Sequence, residues 1–262
     1  MSTLASQSVR SADGTRIAFE RSGVGPPVIL VEPALHYREF SAFGGLVPLL
    51  SRDFTVYTYD RRGRGESSDT PPYTPEREVD DLEAVIAEAG APAFVYGYSS
   101  GALIALRAAA RGLPVARMAL LEPPLQEEGT PVPDPLTLEL GELLAAGRDG
   151  DAIEHFHRSI GVPDEFVSGM RQTDEWPRME SVAATLVYDC MISEATTLDL
   201  LREVKVPTLV LDSEGSSEDL TGWSATVAGR LPDATHRSLP GEWHTVPDDL
   251  LAPVLVDFFR GR

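Results

Sequence analysis

Short apolar runs alternate with helix-like segments along the first half of the chain. Val28–Val31 and Phe54–Tyr59 are rich in apolar, β-branched and aromatic residues, and they predict buried strands. Arg77–Ala89 carries apolar residues at a helical period that stops at Gly90, so it predicts a helix. Strands that alternate with helices form parallel sheets whose two faces are covered by those helices. The sequence therefore predicts an α/β fold.

The same alternation of strands and helices continues along most of the chain. Further predicted strands are Ile17–Phe19, Phe94–Tyr96, Met118–Leu121, Val206–Leu211 and a weaker one at His236–Leu239. Further predicted helices are Ala102–Ala110 and a closing helix at Leu250–Phe259.

Between about Pro123 and Val204 the alternation stops. This segment opens with prolines at five positions: Pro123, Pro124, Pro131, Pro133 and Pro135. Four helix-like pieces follow: Leu136–Ala146, Asp151–Ser159, Pro163–Met170 and Met179–Asp189. Because strand-like segments resume afterwards, we predict a core formed by residues 1–122 and 205–262 and a helical insertion at residues 123–204.

The charge and composition of the chain exclude several classes of partner. Its 262 residues include 22 Lys and Arg against 41 Asp and Glu, a formal charge of −19, which argues against nucleic acid or anionic lipid. The single cysteine, Cys190, cannot form an intrachain disulfide, and no apolar run of ~18 residues predicts a membrane span. The start, MSTLASQSVRSADG, lacks the apolar centre of a signal peptide. We therefore expect a cytoplasmic protein.

The segment Gly97-Tyr98-Ser99-Ser100-Gly101 joins the predicted strand Phe94–Tyr96 to the predicted helix Ala102–Ala110. A tight turn between strand and helix exposes a serine hydroxyl above a sheet, and the two glycines remove side chains where the turn is crowded. The helix N-terminus also offers unpaired N–H groups and a positive dipole end to an oxyanion. Ser99 is therefore a candidate nucleophile, and a Gly- and Ser-rich connection without a catalytic role is the alternative.

A serine hydroxyl needs a base that removes its proton. His244 lies in Leu239-Pro-Gly-Glu-Trp-His-Thr-Val-Pro247, the loop between the last predicted strand and the closing helix. Such a loop lies at the carboxyl edge of the sheet, where ligands bind in open α/β folds. His155 and His157 fall in the insertion and His236 on a predicted strand, where surface or packing roles are expected. His244 is therefore the candidate base.

Four motifs in a fixed order resemble the α/β-hydrolase superfamily. They are Val28–Val31 with its following loop, Tyr59–Gly65 with Ser67, the Gly97–Gly101 turn and the late Gly-Glu-Trp-His244. The resemblance covers nearly the whole chain outside the insertion. It implies a mostly parallel eight-stranded sheet flanked by helices, with a helical cap inserted after the sixth strand. It also implies that Asp60–Gly65 is a structural turn near the Ser99 bend, despite its three arginines.

By the same resemblance, the backbone N–H groups of Ala34 and Ser100 would bind the oxyanion. The superfamily usually has His-Gly where this chain has Glu32-Pro33, and proline at 33 removes only its own N–H group. Glu32 either brings a carboxylate near the developing negative charge, which would disfavour an oxyanion, or pairs with Arg38 or faces solvent.

Two carboxylates are candidates for the acid that orients His244. The superfamily usually keeps an Asp after the seventh strand, but the corresponding position here is Ser216, and Asp212 lies four residues before it. Glu122 follows the sixth predicted strand, where some members, including certain haloalkane dehalogenases, place the acid. We expect Glu122 to be the acid, with Asp212 as the alternative and the absence of a functional acid as a third option.

These residues together predict a serine hydrolase that cleaves a small or medium ester, lactone or thioester through an acyl-enzyme on Ser99. Candidate pocket residues are Glu32, His36, Tyr98 and Trp176. The sequence has no P-loop, dinucleotide-binding glycine motif or metal-ligand cluster, so neither a cofactor nor a metal is expected. A lyase, cyclase or isomerase that uses the pocket for proton transfer, and a ligand-binding protein with an impaired triad, are the alternatives.

Overall fold

An eight-stranded sheet forms the centre of the computed structural model, which describes residues 7–90, 92–125 and 132–262. The strands are β1 (Gln7–Arg10), β2 (Arg16–Ser22), β3 (Pro27–Val31), β4 (Thr55–Tyr59), β5 (Ala93–Tyr98), β6 (Val115–Leu121), β7 (Thr208–Ser213) and β8 (Ala234–Leu239). Their order is β1-β2-β4-β3-β5-β6-β7-β8. β2 is antiparallel to both β1 and β4, and the other neighbours are parallel. The predicted mostly parallel sheet is confirmed.

The described residues also form helices, most of which follow a strand. They are α1 (Leu46–Leu50), α2 (Pro75–Ala89), α3 (Ser100–Ala110), α4 (Pro135–Ala145), α5 (Asp149–Ser159), α6 (Asp164–Met170), α7 (Trp176–Glu180), α8 (Leu186–Ala195), α9 (Leu198–Leu201), α10 (Glu218–Arg230) and α11 (Asp248–Phe259). A short 3₁₀ turn at Ala183–Thr185 precedes α8. β1, α1 and α10 are the main elements that the sequence patterns did not predict.

Strand β3 is apolar along its whole length because both of its faces are buried. Successive side chains of a strand point to opposite faces, and both faces are buried here. Val28 and Leu30 pack in the cluster that includes α1 and α11. Ile29 and Val31 pack on the other side, in the cluster that includes α2, α3 and α10. The sheet is therefore covered on both faces, as its apolar strands predicted.

Helix α2 shows how local sequence sets its ends. Pro75 occupies the first turn after Thr74, a position where proline loses no helical hydrogen bond. The helix ends at Ala89, and Gly90 follows it with φ +80°, a left-handed conformation that glycine adopts without steric cost. The predicted end was correct, whereas the helix begins two residues earlier than the apolar period indicated.

Helices α4–α9 lie between β6 and β7, where the insertion was predicted. Residues 126–131, which include the predicted Pro131, lie outside the described residues. The prediction of one helix at Met179–Asp189 is wrong, because α7 ends at Glu180 and a 3₁₀ turn separates it from α8. Met179, Val182, Ala183 and Leu186 are nevertheless all buried, so the broken segment keeps the apolar spacing of a single helix.

The insertion packs in two different ways. Leu140, Ile153 and Leu186 form a cluster with Leu35 and Tyr37 from the loop after β3. The later helices instead join the core beside the sheet: Ile192 of α8 and Leu201 of α9 lie in the cluster that contains α3. The carboxyl-terminal part of the insertion therefore packs against the core beside the sheet, and its earlier part packs against the loop after β3.

The bend between β5 and α3 is crowded by backbone atoms. A Cβ at Gly101 would lie 2.2 Å from the Val31 carbonyl oxygen, and one at Gly97 would lie 2.6 Å from the Ala102 Cα. Neither neighbour is the flexible end of a side chain. Both glycines are therefore required for helix α3 to approach strands β3 and β5 this closely.

We expect Gly101→Ala to lower the free energy of unfolding by about 2–3 kcal/mol, because the new methyl group must displace strand β3. Urea denaturation measures this loss. The matched control is Gly141→Ala in α4, where an added Cβ meets nothing within 4 Å. That variant should be neutral or slightly stabilised, and an equal loss in both variants would contradict the close-approach argument.

Candidate active site

Ser99 occupies the bend between β5 and α3 in a strained backbone conformation. Its φ of +53° and ψ of −123° lie outside the regions that non-glycine residues usually adopt. The bend is held on both sides: the Ser99 N–H donates to the Leu121 carbonyl at 2.9 Å, and the Ser99 carbonyl accepts from the Ala102 N–H at 2.9 Å. Its side chain lines a cavity of about 380 Å³ at the carboxyl edge of the sheet.

His244 reaches the same cavity from the loop that follows β8. The His244 backbone N–H donates to the Ser216 hydroxyl oxygen at 2.8 Å, and the His244 backbone carbonyl accepts from the Tyr98 hydroxyl. The Tyr98 and His244 rings also pack together, with their centroids 5.0 Å apart. Because Tyr98 precedes Ser99, these contacts tie the histidine loop to the serine bend.

Glu122 follows the end of β6 and is fully buried. One carboxylate oxygen accepts from the Ser213 N–H at 2.7 Å, and the other accepts from His244 Nδ1. Burial acts to raise the pKa of Glu122, but its hydrogen bonds and the charge of His244 outweigh burial and lower that pKa. The carboxylate is therefore held ionised, and the Nδ1 hydrogen bond leaves Nε2 as the free nitrogen of His244.

Asp212, the alternative acid, does not bind His244. It lies inside β7, fully buried, and its carboxylate accepts from His236 Nε2 on the neighbouring strand β8 at 2.5 Å. A residue inside a strand points away from the sheet edge towards a face, so Asp212 meets a strand residue rather than the loop. Ser216, where the superfamily pattern places an Asp, instead accepts the His244 N–H.

Four described non-glycine residues have a positive φ: Leu35, Ser99, Glu122 and His244. Three of them are the candidate nucleophile, acid and base, and the fourth follows the candidate oxyanion donor Ala34. Such conformations cost roughly 1–3 kcal/mol each and cluster at sites whose geometry the surrounding structure enforces. The strain marks this edge of the sheet independently of the sequence motifs.

Ala34 and Ser100 line the cavity together with Ser99. Ser100 is the first residue of α3, so its N–H is one of those that an α-helix leaves unpaired. Two buried arginines fix the loop that carries Ala34: Arg61 donates to the Glu32 carbonyl at 3.3 Å, and Arg64 donates to the Pro33 carbonyl at 2.6 Å.

The same arginines share Asp189 from helix α8. Arg61 and Arg64 each lie 2.7 Å from one of its carboxylate oxygens, and Arg61 also pairs with Glu78 at 2.8 Å. Arg61 additionally donates to the Ser100 hydroxyl at 3.2 Å. Burial acts to raise the pKa of Asp189, but the two arginine charges outweigh it and lower that pKa. The Asp60–Gly65 turn thus contacts both the insertion and the serine bend.

The four predicted pocket residues do not line the Ser99 cavity. His36 and Tyr98 line a neighbouring cavity of about 410 Å³, where burial lowers the pKa of His36 to about 4 and keeps it neutral. Trp176 is buried inside the insertion, with the Arg171 guanidinium 5.1 Å from its ring centre. The helical spacing of apolar residues predicts that Trp176 is buried, but it does not predict against which part of the protein Trp176 packs.

Aromatic and apolar residues from other elements form the cavity wall. Phe156 belongs to α5, Leu220 and Trp223 to α10, and Trp243 precedes His244. The sequence patterns missed α10 although a helix signal was present: Ser217 caps it by accepting from the Leu220 N–H, and two acidic residues follow in the first turn. Trp243 could have been found from its place beside His244.

Glu32 is fully buried, and both milder interpretations of it are wrong. Its carboxylate accepts from the Ser41 hydroxyl and from the Ala42 N–H at 3.2 Å, and burial raises the pKa of Glu32 to about 7. Arg38 instead forms its ion pairs with Glu20, Asp60 and Glu66. The Glu32 side chain thus faces the Ser41–Ala42 turn and does not line the Ser99 cavity.

Within the described parts of the chain, no group of three His, Cys, Asp or Glu residues is placed to hold a metal ion. No helix there is both long and apolar enough to cross a membrane. The polar groups of the cavity wall are hydroxyl, carboxylate, imidazole and backbone amide, which suit acid–base and nucleophilic chemistry.

A family model described as the alpha/beta hydrolase family matches residues 28–254. The chain belongs to this family. The match spans β3 to α11, including the serine bend, the insertion and the histidine loop. The family resemblance of the sequence is therefore confirmed, and membership supports an enzyme of the hydrolase kind.

Several known proteins resemble this chain to different extents. A solved alpha/beta hydrolase from Sphaerobacter thermophilus is 46% identical, with a TM-score of 0.89, over 97% of this chain and 100% of that one. N-formylmaleamate deformylase from Pseudomonas putida is 32% identical over 49% of this chain and 49% of its own length. Probable oxidoreductase EphD from Mycobacterium tuberculosis is 39% identical over 37% of this chain, but the match spans only 17% of EphD.

We expect the stability of this hydrolase to depend on pH through Glu32. The pKa of Glu32 rises from 4.5 in the unfolded chain to about 7 in the folded protein. Its contribution to stability is therefore fully present below pH 4.5 and is lost as the pH rises through about 7. Glu32→Gln removes the titration. Between pH 5 and pH 8 the wild type should lose about 2–3 kcal/mol of unfolding free energy that the Glu32→Gln variant does not lose.

Urea denaturation of both proteins at the two pH values measures this difference. Glu88→Gln, a change at an exposed position of α2, is measured in parallel to subtract the effect of losing one negative charge. A stability difference for Glu32→Gln that stays constant with pH would contradict the assignment.

Proposed function

We propose that this protein is a serine hydrolase that cleaves a small or medium ester, lactone or thioester. The observation that carries the proposal is that Ser99 and His244 line one cavity while His244 Nδ1 binds the buried Glu122 carboxylate. In this reaction His244 Nε2 accepts the Ser99 proton as the hydroxyl oxygen attacks the substrate carbonyl. Glu122 holds the imidazole in the required tautomer and stabilises the imidazolium.

The N–H groups of Ala34 and Ser100 are proposed to bind the oxyanion that forms. The unpaired helix N-terminus at Ser100 supports this role, as does the anchoring of the Ala34 loop by Arg61 and Arg64. His244 then gives the proton to the leaving group. In the second half of the reaction His244 removes a proton from water, the water oxygen attacks the acyl-enzyme carbonyl, and the proton returns to Ser99 as the acid product leaves. The reaction requires no cofactor or metal.

Residues 123–204 are proposed to act as a cap over this cavity. Leu136, Phe156 and Ile160 of the insertion line it together with Ser99 and His244. More of the cavity surface is apolar than polar, which is typical of small-molecule sites. The name of N-formylmaleamate deformylase denotes removal of an acyl group, and a relative with that activity agrees with acyl transfer here.

The alternatives draw less support from the site. A lyase or cyclase that used Glu32 for proton transfer is not supported, because the Glu32 carboxylate binds the Ser41–Ala42 turn outside the Ser99 cavity. A ligand-binding protein with an impaired triad would need no acid beside the histidine, whereas Glu122 binds His244.

We expect a fluorophosphonate probe to label the wild type and not Ser99→Ala, because the probe phosphonylates only an activated serine oxygen. Hydrolysis of short-chain p-nitrophenyl esters should fall at least about 10⁴-fold in Ser99→Ala. Mass spectrometry of the labelled peptide and initial rates provide the measurements. Ser238→Ala, on the exposed side of β8, is the control. Retained turnover in Ser99→Ala with loss in His244→Ala would favour proton-transfer chemistry instead.

The two candidate acids can be separated by matched amide substitutions. Glu122→Gln should lower kcat by about 10³–10⁴-fold, because an amide favours the wrong tautomer of His244. Asp212→Asn should change kcat by less than about tenfold, since Asp212 contacts His236 instead. Circular dichroism verifies that both variants are folded under the assay conditions. Similar losses of kcat in the two folded variants would refute the assignment of the acid to Glu122.

A further inference from the structure

Carboxylates line the Ser99 cavity, and no lysine or arginine does so among the described residues. Asp134, Asp189 and Asp219 contribute to its wall, and His244 is the only basic side chain there in the described ranges. Apolar residues such as Leu125, which follows β6, complete the wall. Asp189 is paired with Arg61 and Arg64, so it adds no net negative charge to the wall. A negatively charged substrate group would therefore meet apolar surface and the exposed carboxylate of Asp219, with no lysine or arginine among the described wall residues to pair with.

The nearest cations are not available to a substrate. Arg61 and Arg64 lie behind Asp189 with 0% and 1% exposure, and both are paired with its carboxylate at 2.7 Å. Arg61 is also paired with Glu78. A substrate carboxylate would have to displace a buried ion pair to reach either guanidinium, which is strongly unfavourable.

The residues outside the described ranges add no positive charge. The sequences outside the described residues are MSTLAS at 1–6, Ala91 and QEEGTP at 126–131, and they contain no Lys, Arg or His. The formal charge of −19 further lowers the local concentration of anions near the protein.

We propose that the site takes substrates with an uncharged acyl group and rejects those that carry a carboxylate on the acyl chain. This inference rests on the proposed hydrolase function and specifies its substrate class. Ser99, His244 and Glu122 supply the chemistry, and the charge of the surrounding wall selects the acyl group.

Two activated esters of equal chain length test the proposal. They are the p-nitrophenyl monoester of adipic acid, which is an anion at pH 7.5, and its neutral methyl ester, methyl p-nitrophenyl adipate. Each enzymatic kcat/KM is divided by the rate constant of hydroxide hydrolysis of the same ester to remove intrinsic reactivity. We expect the neutral ester to be favoured at least about 100-fold. A ratio near one would overturn the proposal.

A charge reversal at the cavity mouth tests whether the wall produces this ratio. Asp219 is exposed in the first turn of α10. Asp219→Lys should lower the ratio of normalised kcat/KM for the neutral ester to that for the anionic ester about tenfold at low salt. Glu218→Lys is the matched control, because Glu218 lies in the same helical turn but does not line the cavity. An unchanged ratio in Asp219→Lys, or an equal narrowing in Glu218→Lys, would refute selection by the wall.

The outcomes also separate this inference from the function on which it rests. If neither ester is cleaved and the fluorophosphonate does not label Ser99, the hydrolase proposal itself is wrong. If both esters are cleaved with equal normalised kcat/KM, the protein is a hydrolase and only the charge selection is wrong.

Discussion

The buried ion pairs between Asp189 and the two arginines Arg61 and Arg64 connect the parts of this molecule that meet at the site. Asp189 belongs to the insertion, whereas the arginines belong to the turn after β4. Removing one partner of such a cluster leaves an unpaired buried charge, which typically costs about 3–5 kcal/mol. These ion pairs hold the insertion to the turn after β4, beside the cavity that Asp189 lines.

The same arginines also bind the backbone that surrounds Ser99. They donate to the carbonyls of Glu32, Pro33 and His36, which fixes the loop on both sides of Ala34. The contact between Arg61 and the Ser100 hydroxyl adds the start of α3 to the same network. Both proposed oxyanion donors therefore depend on arginines that never touch the cavity. The Asp60–Gly65 turn, which the family resemblance implies to be structural, thus binds both the loop that carries Ala34 and the start of α3.

The sheet and the positions of Ser99 and His244 at one edge of it could be predicted from the sequence, because local patterns encode them. A buried strand such as β3 is apolar throughout, and a strand–turn–helix with two glycines leaves few conformations for Ser99. Glu122 was predictable because it follows a strand at the carboxyl edge. The cavity wall was not predictable in this way. Trp176 and Trp223 are similar in local sequence terms, but one packs inside the insertion and the other lines the cavity. That difference depends on how helices pack, which no local period records.

Backbone strain at the site follows from the parallel sheet itself. Parallel strands bring their carboxyl ends to one edge, and the chain must bend sharply there if a side chain is to face the cavity rather than continue along the sheet. The Ser99 N–H binds the Leu121 carbonyl and the Glu122 N–H binds the Leu211 carbonyl at 3.0 Å, so the hydrogen-bond ladder extends one residue into each bend. The sheet thus holds the strained residues in place and offsets their cost. The positions of Ser99 and Glu122 are consequently set by the sheet, whereas helices α4, α5, α8 and α10 shape the wall. Under the proposed function, changes in those helices would alter substrate preference without moving Ser99 or Glu122.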